Sequence, residues 1–252
     1  MERVGAKCRL LLAVAAWLLL LAGLGPPILH PVPPVAAQAA PIRVPILAYH
    51  AVDASASTYS VTAEQLDEQC RWLVENGYTA ITLGQFWAAV TEGAVLPPNP
   101  VLLTNDDGWS STVLFAEILA RYGMVGTYFV NNTSPLPPDQ IAALSLRGGV
   151  HAHTASHANL TGLAYEGQLA EIAGNKTHIE QITGQPVTFL AWPFGETNEG
   201  AVQAAAAAGI VGAFGLGGTA AQVGALDPYR IPRIIVGSSD DLASFATKVA
   251  WH

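Results

Sequence analysis

The 252-residue sequence predicts a single α/β domain of barrel or doubly wound size, built on a largely parallel sheet. Three observations predict it. From Val44 onward, short apolar runs alternate with stretches of helical period, the pattern of successive βα units. No long linker or second compositional regime interrupts that alternation. Polar and titratable residues recur where the apolar runs stop, at "ILAYH", "LLTNDDG", "GVHAHTASH" and "FLAWPFG", and such folds gather their reactive groups at strand ends.

In chain order, strands are expected near 44 to 49, 79 to 82, 100 to 105, 125 to 130, 149 to 153, 187 to 192, 210 to 214 and 231 to 236. Between them fall helices near 62 to 76, 84 to 92, 111 to 122, 138 to 146, 163 to 183, 197 to 208 and 239 to 249. Pro41, Pro45, "LPPNP" and "PLPP" mark edges and turns, where a missing N–H costs nothing. Cys70 lies in the helical pattern "LDEQCRWLVENG" and reads as a small core residue. The alanine-rich "AVQAAAAAGI" is a good helix former ended by Gly209.

Residues 1 to 39 read as an export signal: a basic start, an apolar run from Leu10 to Leu24, and a Pro-rich stretch ending in Ala37-Gln38-Ala39. Cleavage after Ala39 is expected, with a retained signal anchor as the alternative, which is the one membrane attachment foreseen. Residues 40 to 252 form the folded domain, placed outside the cytoplasm: extracellular, at the cell surface or in the periplasm. The segment carries Arg3, Lys7, Arg9 and Glu2, so its removal takes the net charge from -8 to about -10. An acidic surface without a basic run excludes nucleic acid as the main partner. Cys8 leaves with the segment and Cys70 stays unpaired, so no disulfide framework is expected.

His153 and His157 are four residues apart, which sets both imidazoles on one side if the chain turns helically after its strand. Two imidazoles and one carboxylate make a three-ligand catalytic metal site with a position left for water. The Asp106-Asp107 pair, at another strand end, supplies that carboxylate and a second one to act as base. The plain alternative is an Asx turn capping the helix that begins near Ser110.

From Val44 onward the sequence resembles the polysaccharide deacetylase family, the carbohydrate esterases with a NodB-type domain. "LTNDDG" is similar to its "TFDDG", "HTASH" matches its "H[ST]xxH", and "AWPFGETN" resembles the "YPYGxYN" of one branch. "VPILAYHAV" and "GYTAITLGQFWAAV" look like the opening of the branch that deacetylates poly-N-acetylglucosamine. The resemblance implies an irregular (β/α) barrel and a hydrolase acting on N-acetylhexosamine polymers. It implies Asp106 as general base, and Asp107, His153 and His157 as ligands of one divalent ion, zinc first, with cobalt, nickel or iron compatible. The late "LxH" that carries the acid in many members has no copy near "KVAWH". His50 of "ILAYH" fits the place where the poly-N-acetylglucosamine branch has its acid histidine.

Trp109, Trp192, Pro193, Phe194 and Arg233 are candidates for the sugar site, the aromatic faces suiting the C–H side of a pyranose. Arg233 is also a candidate to orient the base, since "AWPFG" lacks the arginine that many members carry there. Asn105 replaces the motif phenylalanine; strand alternation would put it on the same side as Asp107, near the metal. Two other readings stay open. One is an impaired family member that binds N-acetylglucosamine-type glycan without turnover; the other is an amidohydrolase-type metal site using His151 with His153.

Overall fold

The computed structural model describes residues 42–55 and 57–250. The expected export signal of residues 1 to 39, with Cys8, and His252 lie outside them. Among the described residues no helix is long and apolar enough to cross a membrane.

Strands β1 (Arg43–Val44), β2 (Ile46–Tyr49), β3 (Ala51–Val52) and β4 (Ser60–Val61) precede α1 (Ala63–Glu75). Then come β5 (Thr79–Ala80), α2 (Leu83–Glu92), β6 (Pro100–Asn105), α3 (Thr112–Arg121), β7 (Thr127–Val130) and α4 (Pro138–Ser145). β8 (Val150–Ala152), α5 (Tyr165–Thr183), β9 (Phe189–Ala191), α6 (Glu199–Ala207), β10 (Gly212–Phe214), β11 (Ala221–Gln222), β12 (Ile234–Ile235) and α7 (Leu242–Ala250) complete the order. Each expected strand and helix has a counterpart. β3, β4 and β11 are additions, two-residue pairings too short to leave a period in the sequence.

The main sheet runs β10-β9-β8-β7-β6-β2-β12, every pair parallel, with β5 beside β6. It curls far enough for Phe214 of β10 to form a parallel bridge with Ile231, just before the opposite edge strand. Gly215 N–H donates to Ile231 O at 2.8 Å, and Ile231 N–H to Ala213 O at 3.0 Å. A few bonds to an irregular segment thus complete the ring, the irregular barrel that the sequence implied.

Alternation along the strands divides the core in two. Ile46, Leu102, Phe129, Phe189, Phe214 and Ile231 fill the inside of the ring. Leu47, Tyr49, Leu103, Phe115, Val130 and Ile172 pack between sheet and helices. Helix starts follow local chemistry: Thr62 and Thr82 form reciprocal capping boxes with Gln65 and Gln85, and Asn198 caps α6. Cys70 is buried on α1, and burial pushes its thiol up to about 12, so it acts as a small apolar residue.

Candidate active site

The inward row of β6 is Leu102, Thr104 and then Asp106, so alternation alone aims Asp106 into the ring. There it meets Arg233, which arrives from the closing segment. Nη1 and Nη2 of Arg233 lie 2.7 Å from Oδ1 and Oδ2 of Asp106, with side-chain exposures of 1% and 3%. The guanidinium also donates to Thr104 Oγ1 and to Gly215 O, and it stacks 5.4 Å from the Phe129 ring centre. Burial pushes the Asp106 carboxyl upward, but Arg233, with help from His153 and His50, wins and holds it below the usual carboxylate range. Arg233, a candidate both for the sugar site and for orienting the base, holds the carboxylate and also borders the cleft.

Alternation stops at Asp106. Asp107 has φ 71° and Gly108 φ 70°, so the chain swings and the two neighbouring carboxylates separate. A side chain on Gly108 would strike Ser134 Oγ at 2.7 Å and Val130 Cγ1 at 2.9 Å, so glycine meets a steric as well as a dihedral demand. Oδ1 of Asp107 lies 3.3 Å from His153 Nε2 and 3.2 Å from His157 Nε2. The expected helical turn between these histidines is absent. Thr154 (φ 64°) and His157 (φ 59°) are left-handed, and it is this loop that brings the rings together, centres 4.9 Å apart. The Asx-turn alternative fails as well, because α3 starts at Thr112 with no side-chain cap.

The triad fits a divalent cation. One donor atom from each of Asp107, His153 and His157 lies within 4.8 Å of the others. His153 Nδ1 is 2.8 Å from Ala191 O; a carbonyl only accepts, so Nδ1 carries the proton and Nε2 turns its lone pair to the centre. Asp107 Oδ1 is buried without a hydrogen bond, while Oδ2 accepts from Trp109 Nε1 at 2.9 Å. An oxygen left bare beside two imidazole nitrogens is what a cation would satisfy. In the metal-free protein, burial draws the His153 pKa down, but Asp107 and Asp106 outweigh it and the net direction is up.

The triad and Asp106 share a cleft of about 480 Å³ with His50, Tyr59, Trp109 and Phe194. His50 Nδ1 is buried without a partner. Burial lowers the His50 pKa more than Asp106 and Asp107 raise it, so its cation is a stronger acid than free imidazole. Trp109 (48% exposed) and Phe194 (59%) stand open at the rim with Tyr59 (51%), which sequence reasoning did not single out. Phe194 holds a left-handed backbone, φ 61°, rare for a bulky residue, and its ring lies edge-on to His157, centres 4.8 Å apart. Trp192 and Pro193 serve differently. Both are buried and the Trp192 indole donates to Tyr229 O, so they support the Phe194 turn, while Trp192 also borders the cleft.

Three further placements differ from expectation or escaped it. Asn105 points outward to α3, since the strand reverses only after it; Nδ2 donates to His50 O and Oδ1 accepts from Thr112. His151 is in the ring's apolar interior, 5.1 Å from the Phe189 ring centre, where burial takes its pKa down to about 4. It does not belong to the metal-ligating group, which removes the geometry the amidohydrolase reading needs. Asn175 and Glu171 of α5 went unnoticed, yet they hold the histidine loop. Asn175 accepts from His153 N–H and donates to Val130 O; Glu171 accepts from Ser156 N–H and its hydroxyl.

Residues 94–213 match the family described as polysaccharide deacetylase. A putative polysaccharide deacetylase, YxkH, of Bacillus subtilis (strain 168) is 28% identical over 172 residues, 66% of this chain and 61% of the relative. The poly-β-1,6-N-acetyl-D-glucosamine N-deacetylase of Escherichia coli (strain K12) is 44% identical over 52 residues, 21% of this chain and 8% of that protein. The chain therefore spans less than two thirds of these relatives. Among solved structures, the Streptococcus pyogenes deacetylase PplD superposes with TM-score 0.76 at 20% identity, over 83% of this chain and 99% of that one. IcaB from Ammonifex degensii gives 0.71 at 20%, over 83% and 96%. Fold and sequence matches agree with the resemblance read from the motifs: residues 94–213 match the polysaccharide deacetylase family model, and the fold is shared with solved deacetylases.

Proposed function

We propose that this protein is an exported, metal-dependent N-deacetylase that removes acetyl groups from N-acetylhexosamine polymers, either surface exopolysaccharide or cell-wall glycan. The observation that carries the reading is the juxtaposition, in one cleft, of the Arg233-held Asp106 and the Asp107, His153 and His157 triad. The E. coli relative's activity on poly-β-1,6-N-acetyl-D-glucosamine supports the polymer class. The basic start and apolar run of residues 1 to 39 support export.

Asp107, His153 and His157 would hold the ion; two imidazoles and a carboxylate suit zinc, and also cobalt, nickel or iron. Bound there, such an ion would polarise the acetamide carbonyl and acidify a water. Asp106, ionised because Arg233 keeps it so, takes the proton released as water attacks the carbonyl carbon. His50 gives its proton to the departing amine, so acetate and a free amino sugar result. An amine is a poor leaving group and needs that proton, and burial makes the His50 cation readier to give it up. Trp109, Phe194 and Tyr59 would receive sugar faces at the rim.

Acetate release from N-acetylglucosamine oligomers, with and without a chelator, tests the reading. Chelator-sensitive release restored by added divalent metal is expected. Binding of the oligomers without release would instead favour the glycan-binding module, and a protein that takes up no divalent ion would end both the ligand assignment and the mechanism.

A further inference from the structure

Asn105 stands where the family motif has phenylalanine, and its amide is fully buried. Nδ2 donates to the His50 carbonyl at 2.5 Å and Oδ1 accepts from the Thr112 hydroxyl at 2.7 Å. A carbonyl cannot donate, so the orientation of the amide is chemically fixed. A second bond runs alongside: Val52 N–H donates to Ser111 Oγ at 3.0 Å. The segment leaving β2 is thereby tied to the first turn of α3 at both of its ends.

This matters because, among the described residues, no hydrogen bond holds the His50 ring. His50 Nδ1 has no partner, and the ring's aromatic neighbour is Tyr59, centres 5.2 Å apart. Backbone pairing between β2 and β6 ends at Tyr49, opposite Asn105, where Asp106 N–H donates to Tyr49 O. The Asn105 side chain extends the attachment one residue further, to His50 itself. A phenylalanine there has no N–H to give.

We infer that Asn105 is a positioning residue: its amide, braced by Thr112, fixes the His50 main chain and so sets the imidazole's place in the cleft. This rests on the reading of His50 as the acid. General acid help is needed by an amine leaving group and hardly at all by a phenolate, so a misplaced acid should spare an activated ester.

The test compares Asn105→Leu, Thr112→Val and His50→Ala on N-acetylglucosamine oligomers and on 4-nitrophenyl acetate, with metal content measured for each. Asn105→Leu is expected to lower kcat on the oligomer by roughly tenfold or more, a share of the ~10²–10⁴ that proton transfer contributes, with KM nearly unchanged. Ester hydrolysis and metal content should hold. Thr112→Val should give a smaller loss of the same kind, and the double variant no more than Asn105→Leu alone, because the two bonds act in series. Equal losses on amide and ester, a fall in metal content, or normal amide turnover in Asn105→Leu would each overturn the inference. If His50→Ala itself keeps amide turnover, the acid reading fails, and the positioning role goes with it.

Discussion

Replacing Arg233 with methionine should convert the best-held group of the site into its weakest. The guanidinium and the Asp106 carboxylate are both almost wholly buried and paired through two 2.7 Å contacts. Removing one member of such a pair leaves an uncompensated buried charge, at a cost of about 3–5 kcal/mol. Asp106 can reduce that cost by taking up a proton, each unit of pKa rise being worth about 1.4 kcal/mol. The pH dependence therefore changes sign. In the parent protein Asp106 sits below its ordinary range, so the pair stabilises above that range and its contribution is lost as pH falls through the depressed pKa. In the variant burial loses its main opponent, with only His153 and His50 left against it; the folded carboxyl should then bind protons more tightly than the unfolded one, and stability should recover as pH falls. Urea unfolding at pH 7 and pH 5, with chelator present in both, measures this. The deficit should be largest at pH 7 and shrink at pH 5, and turnover at pH 7 should fall by about 10²-fold or more, because the base is protonated. A deficit under about 1 kcal/mol at pH 7, or one that fails to shrink, would refute the view of Arg233 as the partner that keeps Asp106 ionised.

Asp106→Asn should keep the metal and lose about 10²–10⁴-fold in turnover, whereas Asp107→Asn should lose the metal itself; metal analysis beside acetate release separates the two. Trp109→Phe removes the hydrogen bond to Asp107 Oδ2 while leaving an aromatic face, so metal affinity measured by competition should drop roughly 10–100-fold. Metal uptake should weaken as pH falls through the imidazole range. His153 Nε2 must be free to bind, and its pKa is raised from 6.5, so protons begin to compete above that value. Calorimetric titrations at pH 6 and pH 8 check this, equal affinity being the contrary result.

The ring and the triad were legible because they rest on simple periodicities. Alternation aims Leu102, Thr104 and Asp106 inward, and the paired histidines and aspartates stand at strand ends. What escaped notice depends on broken periodicity. The left-handed turn at Asp107 cancels the alternation that would have put Asn105 by the metal, and no pattern signals a positive φ at an aspartate. The histidines meet through a loop with two left-handed residues, not through the helical spacing that suggested them. Helix α5 turns Gln168, Asn175 and, at its margin, Glu171 toward the histidine loop, so polar residues do structural work on its inner side. Their spacing of three and four residues was readable, but inward polar stripes resemble solvated ones until their partners are known. Arg233 was visible as a candidate; its partner, 127 residues away in the chain, was not.

That separation has a consequence for biogenesis. Asp106 directly follows β6, the third main-sheet strand in chain order after β2 and β5, whereas the guanidinium that pairs with it belongs to the segment that closes the ring against Phe214. Until that segment docks, Asp106 lacks its guanidinium partner and the ring is open, so a chain made from its N-terminus holds Asp107, His153 and His157 long before it holds the partner of Asp106. Formation of the Asp106–Arg233 pair is thereby deferred to the completion of folding, and a proteolytic cut before Arg233 would separate that partner while leaving Asp107, His153 and His157 in the chain.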